Sequence, residues 1–379
     1  MKKQDIKPLY AKIMEELKKD IVTGKLTAHQ QLPTELELAD TFSVSRITSK
    51  RALSELEREG FIYRRRGSGS FVKPRRLGDN AKADKIVAFV LPFEKATGLM
   101  NYLQGAAEVF NEHRYMFTIC TTHEEIERER DWLVELPHQN VRGLLFYPIS
   151  DKANMDVLYR LTTNQTPIVL LDKQYEGLPM TSVTSDNRDG GRKAVQHLIT
   201  LGHSHIGYIS TVPIETTSTV RDRYFGYCDA LRHAGLEASL QFMLLNVNGT
   251  YKLENRSEQL AEALIDMMTA GMTAIVAEND LVAIQIIKLL SAKGYRVPED
   301  LSIVGFDDTE VARHTEPSLT TIAQDFLGIG RLAAKSLLEQ AENQTVEAKK
   351  YSLPVELVIR ESTAPPRNPL AVAEERTKS

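Results

Sequence analysis

Hydroxyl and cationic side chains cluster over six consecutive positions near the amino terminus. The cluster contains Ser45, Arg46, Thr48, Ser49 and Lys50. An arginine guanidinium can hold guanine O6 and N7 with two hydrogen bonds, and hydroxyl groups bond phosphates or base edges. The free N–H groups at a helix start also favour a phosphate. If a helix begins here, these residue types predict contact with a nucleic-acid duplex, although each of them alone is typical of an ordinary surface.

A second set of polar side chains follows buried-strand patterns farther along the chain. Asp172, Asn279 and Asp307 each come at the carboxyl end of such a run. In open α/β sheets, ligands bind outside the carboxyl ends of the strands. Carboxylate and amide groups can pair with the adjacent hydroxyls of a polyhydroxylated ring. We therefore expect a cleft for a small, sugar-like molecule at these strand ends.

Three helices and a hairpin are predicted around the first cluster. Apolar residues at helical spacing begin at Pro8 and end at Gly24, which indicates the first helix. Thr34 with Glu37 forms a capping-box pattern at the start of the second. Ser45 can cap the third, and a glycine-bearing loop between alternating residues indicates a hairpin over 61–73. Together these elements predict a winged helix-turn-helix.

The apolar positions of this head are also predicted from helical spacing. The residues expected to face inward are Leu36, Leu38 and Ala39 in the second helix and Ile47, Ala52, Leu53 and Leu56 in the third. The hairpin tip carries Arg64, Arg65, Arg66 and Gly67, which could place cations along a minor groove or the phosphate backbone.

Charge is distributed unevenly along the chain. Residues 1–78 hold 17 Lys and Arg against 10 Asp and Glu, whereas the remainder holds 30 against 41. A basic head on an acidic body suggests that the head alone meets a polyanion. Charge by itself leaves open a solvated basic surface, and the residue pattern of the head favours DNA.

Strand and helix patterns alternate through the body, which predicts parallel sheets flanked by helices. The predicted buried strands are 86–91, 115–119, 143–147, 167–171, 206–210, 274–277 and 301–306.

The head resembles the gluconate-repressor (GntR) family of winged-helix regulators. The matching segments are Pro8-Leu9-Tyr10, Leu32-Pro33-Thr34-Glu35, Val44-Ser45-Arg46, Arg51-Ala52-Leu53, Leu56-Glu57-Arg58-Glu59-Gly60 and Arg66-Gly67-Ser68-Gly69-Ser70-Phe71-Val72. The resemblance implies DNA-contacting roles for Ser45, Arg46, Thr48, Lys50 and Gly67. Many relatives carry an arginine that contacts DNA where this chain has Leu36, so that contact is missing here or another residue supplies it.

The body resembles the effector-binding part of the lactose-repressor (LacI) family. The matching segments include Ser185-Asp186-Asn187, Arg223-Tyr224-Phe225-Gly226-Tyr227, Ala277-Glu278-Asn279-Asp280, Ile303-Val304-Gly305-Phe306-Asp307-Asp308 and Pro317-Ser318-Leu319-Thr320-Thr321-Ile322. The resemblance implies an α/β fold of periplasmic-binding-protein type, with two lobes that each hold a doubly wound parallel sheet. A GntR-type head on this body is similar to the arabinose-repressor-like group.

The same resemblance implies that Arg223, Asn279 and Asp307 contact the effector, with Asp172, Phe93 and Tyr102 as further candidates. Alternatives remain open at this stage for each group. Asn279 could be a helix cap, Asp307 a turn residue and Arg223 part of a surface salt bridge. Phe93 and Tyr102 are equally typical of core or lobe packing.

Domain boundaries follow from these patterns. The predicted parts are a DNA-binding head over 1–74, a polar linker over 75–84, an effector-binding body over 85–362 and a disordered tail over 363–379. Within the body, lobe one is expected at about 85–187 and 319–345, and lobe two at about 188–318 and 350–362.

Several classes of protein and site are excluded by what the sequence lacks. Lys2 and Lys3 are followed by polar residues where a signal peptide needs an apolar run, and no stretch approaches the roughly 18 apolar residues of a membrane span. The two cysteines, Cys120 and Cys228, lie far apart, and His203 and His205 have no companion ligands. We expect a cytoplasmic protein with no metal, no cofactor and no membrane partner.

These patterns predict a transcription regulator, most simply a repressor that a sugar-like effector releases from its operator. A homodimer on a palindromic site is expected because one winged helix contacts only a few base pairs. The alternative is a solute-binding component of uptake or sensing, which the basic head opposes. An enzyme is disfavoured because no nucleophile elbow, phosphate loop or metal motif accompanies the carboxylates.

Overall fold

The structure is a computed structural model that describes residues 8–22, 25–27, 29–65, 68–73, 85–92, 98–139, 141–251, 255–343 and 347–367. The chain divides into two compact units, residues 1–84 and 85–379, referred to below as the head and the body. The predicted linker over 75–84 lies outside the described residues.

The described residues of the head form three helices and a two-stranded hairpin. They are α1 (Leu9–Val22), α2 (Glu35–Thr41), α3 (Arg46–Arg58), β1 (Ile62–Arg65) and β2 (Gly69–Val72). The two strands pair antiparallel. This arrangement confirms the predicted winged helix-turn-helix.

Side-chain caps fix where α2 and α3 begin. Thr34 Oγ1 accepts a hydrogen bond from Glu37 N, and Glu37 Oε2 accepts one from Thr34 N at 2.7 Å, so the predicted capping box is present. Ser45 Oγ accepts from Thr48 N at 3.3 Å. Each cap satisfies N–H groups that the first turn of a helix leaves without a partner, and it is worth about 1 kcal/mol.

Two apolar residues expected in the core of the head are instead on its surface. Leu36 is 61% exposed and Ile47 is 80% exposed. The buried positions of α3 are Ser49, Ala52, Leu53 and Leu56. At about 100° per residue, Ile47 lies nearly opposite that buried face, so the prediction that it faces inward was wrong.

The body contains the remaining elements in alternating order. The helices are α4 (Leu99–Glu112), α5 (Ile126–Glu135), α6 (Met155–Thr163), α7 (Asn187–Thr200), α8 (Ser218–His233), α9 (Val247–Thr250), α10 (Arg256–Thr269), α11 (Asp280–Ala292), α12 (Glu310–Arg313) and α13 (Phe326–Asn343). The strands are β3 (Ile86–Leu91), β4 (Met116–Thr121), β5 (Leu144–Phe146), β6 (Ile168–Leu171), β7 (Thr181–Ser185), β8 (Ile206–Ile209), β9 (Met243–Leu244), β10 (Ala274–Ala277), β11 (Ser302–Asp307), β12 (Thr320–Ala323), β13 (Lys350–Leu353) and β14 (Glu356–Val358).

The body strands form two six-stranded sheets, one in each lobe. The order in lobe one is β13-β7-β6-β5-β3-β4, and the order in lobe two is β14-β12-β11-β10-β8-β9. The described pairs are parallel except for β12 with β14. Apolar strands such as Ile168–Leu171 and Ala274–Ala277 are buried throughout, as sheets covered on both faces require. The predicted two-lobed α/β fold is confirmed.

Two segments near the carboxyl end belong to the opposite lobe from the one expected. Thr320–Ala323 pairs with β11 and is part of lobe two, whereas Lys350–Leu353 pairs with β7 and is part of lobe one. Within the described residues the chain therefore crosses between lobes three times, after Ser185, Ala323 and Leu353. The error arose because a short strand carries no mark in its own sequence of which sheet will provide its partner.

The start of the expected disordered tail is also ordered against lobe two. Thr363 Oγ1 lies 2.9 Å from His197 Nε2, and Ala364 O lies 2.8 Å from His203 Nε2. The Ser302 side chain bonds both the N–H and the carbonyl of Ala364 at 3.0 Å. These bonds satisfy buried polar groups of lobe two, which explains why 363–367 are held in place. Residues 368–379 lie outside the described part of the chain.

In each lobe, glycines allow two helices to approach to backbone contact. In lobe two, a Cβ at Gly226 of α8 would overlap the Arg188 carbonyl of α7, and one at Gly191 would overlap the Arg223 carbonyl. In lobe one, Gly105 of α4 and Gly330 of α13 meet the opposite helix in the same way. The close approach of α7 and α8 positions the backbone of Arg223, which is important for the cleft described below.

Within the described residues, no helix has the length and apolar character needed to cross a bilayer.

We expect the substitution Gly226→Ala to lower the free energy of unfolding by about 2–3 kcal/mol, because the new methyl group must push α7 and α8 apart. Urea denaturation followed by circular dichroism measures the change. Arg232→Ala on the exposed side of the same helix is the control and should shift the midpoint little. Equal midpoints for Gly226→Ala and the unsubstituted protein would contradict this packing.

Candidate functional site

The predicted DNA-contacting residues lie at the first turn of α3. Arg46 is 72% exposed, and its Nε lies 3.3 Å from Glu35 Oε2. Lys50, one turn later, is also exposed. The Ser45 and Thr48 hydroxyls lie 2.9 Å apart, so both are committed to the helix cap yet remain at the helix end. The turn thus presents cations, hydroxyls and helix N–H groups together.

Ser49 does not belong to this exposed set. Its side chain is fully buried, and its hydroxyl donates to Glu35 O at 2.6 Å and lies 3.1 Å from Arg46 O. The hydroxyl therefore fastens α3 to α2 and has no access to a duplex. The prediction that Ser49 binds DNA is wrong, because its position on the helix falls on the core face.

The cations that follow differ in how freely they can reach a ligand. Arg51 lies over the Tyr10 ring at 4.2 Å, and Arg64 bonds Ser54 Oγ at 3.2 Å, so both are held against the head. Arg65 is exposed and lies 5.6 Å from the Tyr63 ring centroid. Arg66 and Gly67, the other predicted contacts at the hairpin tip, lie outside the described residues.

The second candidate site is a cleft of about 360 Å³ between the two lobes. Side chains from both lobes line it, and among them are Tyr147, Ile149, Asp172, Lys173, Phe326, Thr219, Arg223, Glu278, Asn279, Asp307 and Gln324. Asp172, Asn279 and Asp307 come together here because each follows a parallel strand, as the sequence predicted. A cavity of this size with a few polar groups suits a small molecule.

Arg223 lies at the centre of the polar floor. Its guanidinium donates from Nε to Asn187 Oδ1 at 2.8 Å and from Nη1 to Glu278 O at 2.5 Å. Its Nη2 lies 3.5 Å from Asp307 Oδ1, and the group stacks on the Phe306 ring at 3.7 Å. The side chain is buried, so the alternative of a surface salt bridge does not apply.

Asp307 is buried, and the pKa of its carboxyl group lies above the ordinary value. Gln324 Nε2 donates to its Oδ1 at 2.6 Å. Burial raises the pKa of Asp307 to about 8, against the opposing effect of the Arg223 cation. The residue has a φ of 121° and the preceding cleft candidate Asp172 has a φ of 66°. Backbone conformations of this kind cost about 1–3 kcal/mol each and are concentrated at ligand sites.

Asn279 and Tyr102, both predicted to contact the effector, differ in their position relative to the cleft. Asn279 Oδ1 accepts from Val282 N at 3.0 Å, so the residue caps α11 while it also lines the cleft. Tyr102 is fully buried, packs edge-on against Phe326 and places its hydroxyl 3.4 Å from Asp172 Oδ1. It supports Asp172 from within the core and does not line the cleft. Phe93 lies outside the described residues.

Lys173, Glu278 and Gln324 are among the cleft residues that the sequence predictions missed. Lys173 is buried and donates from Nζ to the carbonyls of Pro148 at 2.6 Å and Ile149 at 3.1 Å. Glu278 and Gln324 also line the cleft. Lys173 and Glu278 adjoin predicted residues at strand ends, so that rule could have found them. Gln324 follows β12, which was not recognised as a strand.

Some polar atoms of the cleft are left without a protein partner. Among the described residues, Glu278 Oε2 and Gln324 Oε1 are buried and form no hydrogen bond. Burial raises the pKa of Glu278 and lowers that of Lys173. Buried polar groups are nearly always satisfied, so these oxygens indicate where a donor from a ligand would fit. In the described ranges, no cluster of three His, Cys, Asp or Glu side chains is arranged to hold a metal ion.

Contacts also join the two lobes beside the cleft. Arg221 of lobe two forms an ion pair with Glu176 of lobe one at 2.9 Å. Ser218, at the start of α8, accepts a hydrogen bond from Gln174 N of lobe one at 3.1 Å. Asp151 of lobe one lies beside Ser218, and burial raises the pKa of its carboxyl group. These contacts join the two lobes beside the cleft.

Family models match both units of the chain. The model for bacterial regulatory proteins of the gntR family matches residues 9–72, and the model for a periplasmic binding protein-like domain matches residues 195–363. The first covers nearly the whole described head, and the second covers most of lobe two with part of lobe one.

Two relatives match the chain from end to end. An arabinose metabolism transcriptional repressor of Geobacillus stearothermophilus is 30% identical over 373 residues, which are 95% of this chain and 99% of the relative. A repressor with the same name from Halalkalibacterium halodurans is 28% identical over 379 residues and covers 96% and 99%.

Solved structures match the body. A LacI family transcriptional regulator from Enterococcus faecium with bound ribose has a TM-score of 0.63 and 25% identity, covering 75% of this chain and all of that one. A complex of the transcriptional regulator CelR with cellobiose has a TM-score of 0.64 and 26% identity, covering 87% and 100%.

We expect the raised pKa of Asp307 to make stability depend on pH. An unfolded Asp releases its proton near pH 4, whereas the folded residue keeps it until about pH 8. The stability from protonated Asp307 is therefore fully present below about pH 4 and is lost as the pH rises through about 8. Relative to the unsubstituted protein, Asp307→Asn should thus gain melting temperature steadily between about pH 5 and about pH 8.5.

Thermal melts at several pH values measure this difference. The exposed Asp266→Asn serves as the control and should give a constant offset. A constant offset for Asp307→Asn as well would show that its carboxyl is ionised across this range.

Proposed function

This chain belongs to the gntR-family DNA-binding transcription regulators that carry a periplasmic-binding-protein-like body, and from this premise we propose that it is a repressor released from its operator by a sugar. One observation carries the proposal. The same chain joins an exposed cationic helix start in the head to a cleft lined with carboxylate and amide groups in the body.

In the DNA-binding half of the proposal, the first turn of α3 enters the major groove. Arg46 and Lys50 supply the cations, and the Ser45 and Thr48 hydroxyls bond phosphates or base edges. Arg66 and Gly67 at the hairpin tip would follow the adjacent backbone. Residues 1–74 form this DNA-binding part, 75–84 connect it to the body, and 85–367 bind the effector.

In the other half, the effector is an uncharged molecule with several hydroxyl groups. The carboxyl groups of Asp172, Glu278 and Asp307 line the cleft beside two cations. The nitrogens of Arg223 and Lys173 already donate to protein oxygens, which leaves few of their N–H groups for a phosphate. Hydroxyl groups can donate to the free oxygens of Glu278 and Gln324. The ribose and cellobiose bound by the solved relatives belong to the same chemical class.

Effector binding alters DNA binding through the closure of the two lobes. A ligand shifts a conformational equilibrium only if it binds the two states unequally. The cleft is completed by both lobes, so its ligand favours the closed state, in which Arg221 pairs with Glu176. In a homodimer on a palindromic operator, closure would change the spacing of the two heads.

We infer that the protein works in the cytoplasm, where operator DNA is located. A solute-binding component without a DNA role is not favoured, because the full-length relatives are transcriptional repressors and are matched through the head as well as the body.

The first test is sequence-specific binding to DNA fragments from the protein's own promoter region. We expect Arg46→Ala to weaken operator binding at least tenfold. The substitution removes a pair of hydrogen bonds to a base, worth about 1–3 kcal/mol, and a positive charge close to the DNA phosphates. Arg232→Ala is a matched control, since its side chain is 74% exposed and also paired with a carboxylate, but lies in the body. Equal affinity for operator and random duplex would contradict the proposal that the protein is a sequence-specific repressor.

The second test is a thermal-shift screen of pentoses, hexoses and their phosphates, followed by operator release. A neutral sugar at about a hundred times its dissociation constant should add about 2.7 kcal/mol of stability. The same sugar should release the operator, and Asp307→Ala, which removes the side chain from the cleft floor, should abolish both effects. Stabilisation by sugar phosphates alone would contradict an uncharged effector.

We expect Arg221→Ala to raise the effector concentration needed for half-release by about three- to tenfold, because the substitution removes a contact made only when the lobes are closed. Operator affinity without effector should stay the same or rise slightly. Arg192→Ala is the control, since its partner Asp189 lies in the same lobe. Fluorescence anisotropy of labelled operator measures both quantities. Unchanged release would show that the ion pair of Arg221 with Glu176 does not contribute to the response to the effector.

A further inference from the structure

Two large apolar side chains are exposed on the face of the head that carries the candidate DNA contacts. Ile47 is 80% exposed in the first turn of α3, and Leu36 is 61% exposed in the first turn of α2. Neither packs into the core of the head. An exposed apolar residue is unremarkable on its own, so its neighbours determine its meaning.

The neighbours of Ile47 are polar groups suited to DNA. Arg46 precedes it, Lys50 follows one turn later on the same side, and the Ser45 cap lies two residues before it. Leu36 and Arg46 line one groove of the head. An apolar protein partner covering Ile47 would have to bury these cations without counter-charges, which is costly. A DNA duplex supplies phosphates for the cations in the same approach.

The major groove offers one apolar group that an isoleucine can contact. The 5-methyl group of thymine projects into that groove, whereas the other base edges present hydrogen-bond donors and acceptors. Contact with this methyl group removes apolar surface of both partners from water. A cytosine or a guanine at the same position would leave the side chain against polar atoms.

We propose that Ile47 is a specificity-determining residue that contacts the 5-methyl group of a thymine in each operator half-site, with Leu36 extending the apolar surface toward a neighbouring base. This inference rests on the proposed function, since it requires α3 to lie in the major groove. It assigns an A·T requirement to Ile47 and leaves guanine recognition to Arg46.

The test uses the full-length protein and the operator obtained by selection from random duplexes. Each thymine of the selected half-site is replaced in turn by deoxyuridine, which lacks only the methyl group. We expect one position for which the replacement weakens binding about fourfold, as the loss of about one buried methyl contact implies. For Ile47→Ala, binding to the thymine operator should be weaker by a similar factor, and the same deoxyuridine replacement should have no further effect.

Ile359→Ala is the matched control, because Ile359 is 62% exposed in the body and should leave affinity and thymine dependence unchanged. Thermal melts of both variants should match that of the unsubstituted protein, since both side chains are exposed. Leu36→Ala should reduce the effect of deoxyuridine only at an adjacent position.

Two results would overturn the inference. One is the absence of any thymine at which deoxyuridine weakens binding, and the other is an Ile47→Ala variant that remains as sensitive as the parent. A loss of self-association in Ile47→Ala without any change in thymine dependence would assign the patch to protein contact instead. If selection yields no preferred sequence at all, the proposed function itself fails, an outcome distinct from a preferred sequence that Ile47 does not help to choose.

Discussion

The guanidinium of Arg223 is a buried cation, and a buried cation is tolerated only where partners surround it. Those partners come from distant parts of the chain, namely Asn187 at the start of α7, the Glu278 carbonyl after β10 and Asp307 at the end of β11. The backbone approach of α7 and α8 through Gly191 and Gly226 places Arg223 among them. The floor of the cleft is therefore fixed before any ligand arrives, which reduces the entropy lost on binding.

The other lobe supplies the second wall of the site. Lys173 holds the loop after β5 by its carbonyls, and Tyr102 supports Asp172 from the core, so the wall of lobe one is also preformed. The two walls are joined by the crossing segments and by contacts such as Arg221 with Glu176, which are partly exposed and weak individually. Because each wall is preformed and the contacts between the walls are weak, the two lobes can move against each other as rigid bodies. A ligand that contacts both walls then biases that motion.

In the head, the candidate DNA-contacting side chains must be exposed while neighbouring residues of the same helices are buried in the core. Exposed and buried residues are adjacent in α3, since Ser49 lies between Thr48 and Lys50 yet points into the core. Caps from Thr34 and Ser45 fix the starts of α2 and α3, so the direction of each exposed side chain is set by the helix and not by a flexible loop.

The resemblance to a known family implied the two lobes of the body. Sequence patterns alone predicted the winged head, the alternating strands and helices of the body and the strand ends that carry Asp172, Asn279 and Asp307. Local physics is sufficient for these features, because apolar periodicity, capping boxes and parallel-sheet geometry act over a few residues. The predictions for Ile47 and Ser49 were wrong although helical periodicity places Ser49 on the face of the buried α3 residues and Ile47 opposite it. Those for Thr320–Ala323 and Lys350–Leu353 were wrong because their sheets depend on distant partners. The position of Gln324 in the cleft with Arg223 could be found only in the folded structure, since contacts between remote segments leave no local pattern.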